Sequence, residues 1–132
     1  QVACLSGGVE VTALDPRAVA ALNRSGFDVE SGSGKNPVYV VRHSPGGDGM
    51  CAFSKLFDDA ANTDGPFAAV MTCAHADENC PVITGAAVRL AVRYNDPKAF
   101  DDTHEEAARY DECSDQIAAE MFYVFSQISL PS

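Results

Sequence analysis

The feature that most constrains the fold is a run of five apolar residues, Phe67 to Met71, in which apolar and polar side chains do not alternate. A strand with one face in water alternates, whereas a strand covered by helices on both faces has a continuous apolar sequence. The run therefore predicts a strand buried on both faces in a parallel sheet. Val88 to Val92 predicts another apolar strand, interrupted by Arg89.

Two segments have the signals of helices. Asp15 and Pro16 predict the start of the first helix, because an Asp side chain caps free backbone amides and Pro fits the first helical position. Gly26 is typical of the left-handed residue that ends a helix. From Thr103 onward, apolar residues recur every three or four positions, which predicts a helix of about six turns. Thr103 and Glu106 have the spacing of a capping box at its beginning.

The remaining apolar segments predict short strands. Val38 to Val41 is rich in β-branched residues, and Cys51 to Phe57 is predicted to pair with it in a hairpin. Val2 to Leu5 predicts a further strand. Strands that alternate with helices indicate an α/β domain.

Length and charge limit the classes of function. The 132 residues fit a single domain, residues 1–132, and a hydrophobic fraction of 46% is enough for a core. The net charge of −10 and the isoelectric point near 4.4 argue against binding to nucleic acid or to an anionic membrane, since both require a basic surface. No run reaches the roughly 18 apolar residues of a transmembrane helix. We expect a cytoplasmic protein.

Cysteine usage points to thiols rather than a disulfide framework. The five cysteines include no Cys-x-x-Cys pair, and an odd count favours reduced thiols in the cytosol. Cys4 and Cys113 stand among apolar neighbours, so we expect both to be buried. Cys73 follows the strand Phe67 to Met71, and ligand sites of parallel sheets lie where strands end. Cys80 is near enough in sequence for a disulfide, although two incidental thiols remain the alternative.

Two other kinds of site are disfavoured. Cys73, His75 and Cys80 lack a fourth ligand at a usual spacing, so we expect no metal. The stretch Ser31 to Lys35 resembles a phosphate-binding loop only superficially, because Val29 stands where that motif needs its first Gly. We expect no cofactor.

Several short motifs occur in an order that resembles one family. They are Ser6 to Gly8, Asp15 to Val19, Val70 to Cys73, Ala76 to Pro81 and Asp96-Pro97. In this order they resemble the thioredoxin-coupled arsenate reductases, which share the fold of the low-molecular-weight protein tyrosine phosphatases. The last predicted helix, Gln116 to Phe125, is similar to a phosphatase-like branch of that family. The resemblance covers almost the whole chain, and the Asp-Glu-Asn-Cys-Pro stretch with a Cys seven positions earlier is its most specific part.

The resemblance implies a three-cysteine relay. In these enzymes a nucleophilic Cys attacks arsenate, a second Cys displaces arsenite, and a third attacks the resulting disulfide, which thioredoxin then reduces. By motif position Cys73 would be the second thiol and Cys80 the third. Asp96 would match the acid that protonates the leaving oxygen. Read from the residues alone, Asp96 is more commonly a turn-forming residue ahead of Pro97.

The sequence departs from the family at the nucleophile. The family's first Cys lies in a Cys-x5-Arg phosphate loop, and no Cys of this sequence has an Arg six positions later. We therefore expect a three-layer, parallel-sheet α/β fold of the low-molecular-weight phosphatase type that lacks its first strand, phosphate loop and first helix. An arsenate or phosphate-type oxyanion requires that loop's amides and Arg.

A sheet without that strand has unpaired edges. We expect a complementing segment, a longer native chain or another copy of this chain to cover them. Two alternatives to an enzyme remain: a non-catalytic thiol-based redox module and a protein-interaction domain.

Overall fold

A computed structural model describes residues 2–63, 65–72 and 82–128. Over these residues the protein is of mixed α/β type, with two α-helices, one 3₁₀ helix, a three-stranded sheet and a two-stranded sheet. In chain order the elements are α1 (Pro16–Arg24), β1 (Asp28–Ser31), β2 (Tyr39–Arg42), β3 (Met50–Ala52), β4 (Phe67–Met71), β5 (Ala86–Ala91), the 3₁₀ helix (Pro97–Phe100) and α2 (Glu106–Ser126).

The first sheet is antiparallel with β2 in its centre. Val41 of β2 pairs with Val29 of β1, and Val40 pairs with Cys51 of β3. Val41 is one of the few buried apolar side chains of the described residues. The hairpin predicted from the sequence is confirmed, but its second strand is only three residues long.

The described residues that precede α1 form no strand. The predicted strand at Val2 to Leu5 is wrong, because no neighbouring strand among the described residues pairs with it. Gly8 makes one isolated parallel bridge with Leu56. The Gly8 amide donates to the Lys55 carbonyl at 2.9 Å, and the Phe57 amide donates to the Gly8 carbonyl at 3.0 Å. A side chain at Gly7 would collide with the Phe57 backbone, so a glycine is needed where the two segments cross.

The second sheet is the parallel pair of β4 and β5. Ala69 pairs with Arg89 and Val70 with Leu90. The parallel pairing predicted for the apolar run is confirmed, whereas its predicted burial on both faces is wrong. Only Ala69 of β4 is buried, and the Val70 side chain is 44% exposed. The physical reason is that neither helix packs extensively over this pair in the described part of the chain.

Helix α1 forms where its local signals predict it. The Asp15 carboxylate accepts a hydrogen bond from the Arg17 amide at 2.8 Å, and Pro16 occupies the first turn. Gly26 has a φ of +96°, the left-handed conformation that lets the chain leave the helix without a steric penalty.

Helix α2 has the predicted length but a different start. It begins at Glu106, so the predicted cap at Thr103 is wrong. The Thr103 hydroxyl accepts from the Glu105 amide at 3.3 Å, and the Glu106 carboxylate accepts from the Asp102 amide at 2.7 Å. These two bonds close a turn ahead of the helix, and its first residue lies two positions further along the chain than a cap at Thr103 predicts.

The core of the described residues is small. Its buried apolar side chains are Ala21, Val41, Ala69 and Tyr110. The predicted burial of Cys4 and Cys113 is wrong, because Cys4 is exposed and Cys113 is half-buried at the rim of a cleft. Among the residues that the structure describes, no helix is long and apolar enough to cross a bilayer.

Candidate functional site

Of the three predicted site residues, Asp96 is in the described part of the structure. Cys73 and Cys80 lie outside the described residues, in the gap 73–81. Asp96 precedes the 3₁₀ helix, and its carboxylate accepts a hydrogen bond from the Lys98 amide at 2.9 Å. Asp96 therefore caps the turn that begins at Pro97, which is the local role expected of an Asp-Pro pair.

Asp96 stands close to the carboxyl ends of β4 and β5. Beyond the two strands the parallel pairing continues, because the Val92 amide donates to the Met71 carbonyl at 2.9 Å. The Tyr94 amide also reaches the Thr72 carbonyl, at 3.4 Å. Thr72 is the residue before Cys73 in the sequence, and Tyr94 is two residues before Asp96. Thr72 and Tyr94 therefore still lie side by side beyond the ends of the two strands.

A cleft of about 570 Å³ lies between the segment after β5 and the middle of α2. Its walls include Tyr94, Asp96, Phe100, Arg109 and Cys113. The cleft combines a carboxylate, a guanidinium, a thiol and a phenol. No residue of α2 was predicted from the sequence to belong to the site, so this half of the cleft is found only in the structure.

The thiol of the cleft is not activated as a nucleophile. Burial raises the pKa of Cys113, and the negative charges of Asp96 and Glu112 raise it further. Nucleophilic attack requires a thiolate, which forms more readily when the pKa is lowered. Cys113 is therefore held in its protonated form at neutral pH.

The phenol of the cleft is held by a carboxylate of α2. The Tyr94 hydroxyl donates to the Glu120 carboxylate at 2.7 Å. Burial and this hydrogen bond raise the pKa of Tyr94 to about 12. The same bond lowers the pKa of Glu120, with a second contribution from Gln116. The pair ties the segment after β5 to the helix that faces it.

The guanidinium of the cleft is neutralised by its own helix. Arg109 makes ion pairs with Glu105 at 3.2 Å and with Glu112 at 3.0 Å, and it stacks 4.7 Å from the centre of the Phe100 ring. The spacing of four and three residues along a helix makes both pairs readable from the sequence. Arg109 is therefore not poised to bind an oxyanion as the phosphate loop of the resembled family would.

A second cluster of charges joins α1 to the start of α2. The Arg17 guanidinium donates to the Glu106 carboxylate at 2.7 Å and to the Asp102 carboxylate at 2.8 Å. The Tyr110 hydroxyl donates to the Asp101 carboxylate at 2.9 Å. Burial and this bond raise the pKa of Tyr110, and the hydrogen bond to Glu106 raises the pKa of Arg17. Arg17 is the shared cation for Asp101, Asp102 and Glu106, so the cluster links α1 to the start of α2.

Arg42 and Lys55, which lie at the two ends of the segment 42–55, also contact neighbouring side chains. Arg42 makes ion pairs with Glu30 at 3.2 Å and Asp28 at 3.8 Å. Lys55 is buried, with its ammonium 4.7 Å from the centre of the Phe53 ring and 3.5 Å from the Ser6 hydroxyl. Buried lysines are rare, and no pattern in this sequence indicates that Lys55 is buried.

Comparison with models of protein families finds no matching family. Searches of characterised proteins and of solved structures give no significant match either.

Proposed function

We propose that the chain acts in thiol–disulfide exchange, as the carboxyl-terminal part of an arsenate reductase or a low-molecular-weight phosphatase-like protein. Cys73 and Cys80 form the redox pair that passes a disulfide to thioredoxin, and the fold is the three-layer α/β type of that family. The observation that carries the proposal is the parallel pairing of β4 with β5, since Cys73 follows β4 and Asp96 follows β5. In open parallel sheets, ligands bind where the strands end.

The chemistry of the pair follows from the relay. When the sulfur–sulfur bond forms, the thiols of Cys73 and Cys80 lose two electrons and two protons, and in the complete reaction arsenate accepts the electrons and leaves as arsenite. Thioredoxin then reduces the bond by thiol–disulfide exchange, in which each attack passes through a mixed disulfide. Asp96 is proposed as the acid near the leaving oxygen. It is exposed and close in sequence to Tyr94, whose amide is bonded to Thr72.

An oxyanion requires a basic cradle in addition to this pair. Four arginines of the described residues, Arg17, Arg24, Arg42 and Arg109, are each bound to carboxylates. The net charge of −10 supplies no general attraction for arsenate. We therefore propose that the phosphate loop comes from a complementing segment, and that the protein works in the reducing cytoplasm. Cys4, Cys51 and Cys113 are all free thiols there.

The same observations favour a second candidate, a non-catalytic redox module. Reversible oxidation of Cys73 and Cys80 requires neither an oxyanion cradle nor a nucleophilic third Cys. The ion pairs of Arg17 and Arg109 support this candidate, because it needs no free guanidinium in this chain.

Peptide mapping tests the redox pair directly. Cleavage after Lys55 and Arg89 releases a tryptic peptide, residues 56–89, that contains Cys73 and Cys80 and no other cysteine. After oxidation with glutathione disulfide, we expect this peptide to lose the mass of two hydrogens, and thioredoxin with its NADPH-dependent reductase to restore it.

Cys51 and Cys113 fall in separate tryptic peptides and serve as internal controls. The variants Cys73→Ser and Cys80→Ser should each abolish the mass loss, whereas Cys51→Ser should leave it unchanged. A peptide 56–89 that takes up glutathione on both thiols without forming the internal bond contradicts the proposal.

A second measurement separates the two candidates. A segment with the pattern strand–Cys-x5-Arg–helix, added in trans, should allow arsenate to oxidise the pair if the chain is part of a reductase. A redox module predicts the same oxidation by glutathione disulfide but no response to arsenate.

A further inference from the structure

The protein exposes an unusually large surface for its size. Its accessible surface is 9629 Å² for a mass of 13.9 kDa, whereas a compact monomer of that mass exposes about 6,700 Å². The excess of roughly 3,000 Å² per chain is larger than the about 1,000–2,500 Å² that each partner of an obligate homodimer buries.

One uncovered apolar surface lies on the parallel sheet. Side chains alternate between the faces of a strand, so Ala68 and Val70 of β4 share a face with their partners Val88 and Leu90 of β5. Val70 and Val88 are 44% and 46% exposed. This face, which we call the β4–β5 face, consists of apolar side chains only.

The free edge of β4 continues this surface. Among the described residues β4 has a hydrogen-bonded neighbour on one side only, which is β5. Natural edge strands are normally protected from pairing by Pro, by Lys or by other charged side chains. β4 has none of these between Phe67 and Met71, whereas the outer strand β5 carries Arg89. Within the described residues, the outer edge of β4 is therefore the edge of this sheet that lacks such protection.

We propose that, when no complementing segment occupies that edge, a second copy of this chain pairs with β4 through it, strand against strand and antiparallel about a two-fold axis. If the five residues overlap fully, Ala69 lies on the axis and Ala68 faces Val70 of the partner subunit. The two sheets then join into one of four strands in the order β5, β4, β4 and β5. The same patch serves both copies, so the assembly closes as a dimer.

The distribution of charge along the chain favours a second copy as the partner at the β4 edge. Two chains with a net charge of −10 repel one another over most of their surfaces. Residues 65–72 and 82–92 contain no acidic residue, and Arg89 is the one charge in these two ranges. Within these two ranges, two copies can therefore meet at β4 without bringing carboxylates together.

Light scattering coupled to size-exclusion chromatography tests the proposal. The measurement is made in reducing buffer, so that the exposed thiols of Cys4 and Cys51 cannot link two chains. We expect twice the chain mass of 13.9 kDa for the native protein. The variant Val70→Lys should reduce it to the mass of one chain without changing the far-ultraviolet circular dichroism.

Val88→Lys is the matched control, because it places the same charge on the same face at equal exposure but one strand away from the edge. We expect this variant to remain a dimer. A native protein that stays at the mass of one chain up to about 100 μM, or that forms species larger than a dimer, overturns the proposal. Equal dissociation of both variants also overturns it.

A mixing experiment tests the register. Ala68→Glu should be monomeric alone, like Val70→Lys, because each variant brings a charge into the apolar edge. A mixture of the two variants should form a heterodimer, since full overlap sets the introduced Glu directly opposite the introduced Lys. If the mixture remains monomeric while the native protein dimerises, the antiparallel register is wrong.

Discussion

The hydrogen bond between Tyr110 and Asp101 gives a quantitative prediction. Tyr110→Phe keeps the buried ring and removes only the hydroxyl that donates to the Asp101 carboxylate at 2.9 Å. A hydrogen bond to a charged group contributes about 1.5–3 kcal/mol. Asp101 keeps the Arg17 guanidinium at 3.5 Å and remains partly in water, which favours the lower end of that range. We expect the free energy of unfolding to fall by about 1.5 kcal/mol.

Urea denaturation followed by circular dichroism measures this change, and Tyr123→Phe is the matched control. Tyr123 is in the same helix but is 66% exposed, so its variant should stay within about 0.5 kcal/mol of the native protein. In thermal melts the Tyr110→Phe variant should lose roughly 5–6 °C. Equal stability of the two variants would refute the argument that the buried hydroxyl contributes through Asp101.

The pH dependence of this difference has a definite sign. The pKa of Tyr110 is raised in the folded protein, so the protonated phenol is favoured by folding. Its contribution is complete below about pH 10, the ordinary pKa of tyrosine, and is lost as pH rises through the raised folded value. The stability difference between the native protein and Tyr110→Phe should therefore shrink at alkaline pH.

Two further predictions concern the cleft between the segment after β5 and α2. Tyr94→Phe should remove from an ultraviolet titration one phenol that ionises near pH 12, because burial and Glu120 raise the pKa of Tyr94 to about 12. Retention of all the high-pH tyrosinate absorbance would contradict this. Cys113 should react with iodoacetamide at least several-fold more slowly than the exposed Cys4 and Cys51 near pH 8, since burial raises its pKa and thiolate is the reacting species. Alkylation rates from mass spectrometry measure this, and equal rates at all three cysteines would contradict it.

Elements that depend on local chemistry were predictable from the sequence. Asp15, Pro16 and Gly26 define α1 because capping and backbone conformation act over only a few residues. The length of α2 follows from its three-to-four periodicity, and the apolar run of β4 indicated the parallel pairing. Asp96 could likewise be recognised as a turn-forming residue by its position before Pro97.

Features that depend on segments distant in the sequence were decided only by the tertiary structure. Arg17 and Glu106 are 89 positions apart, and no periodicity indicates that they meet. The same holds for the bond between Tyr94, which lines the cleft, and Glu120. The start of α2 moved to Glu106 because the Asp102 amide binds the carboxylate that the capping pattern had assigned to the helix.

Burial was the property that the sequence predicted least well. An apolar run shows that a strand is suited to burial, but whether it is buried depends on what packs against it. Val70 and Cys4 are exposed because no element of the described residues covers them. The sequence by itself determined which segments form helices and strands, since these choices follow from neighbouring side chains. Which faces are covered, and which charges are paired, was decided by the approach of distant segments in three dimensions.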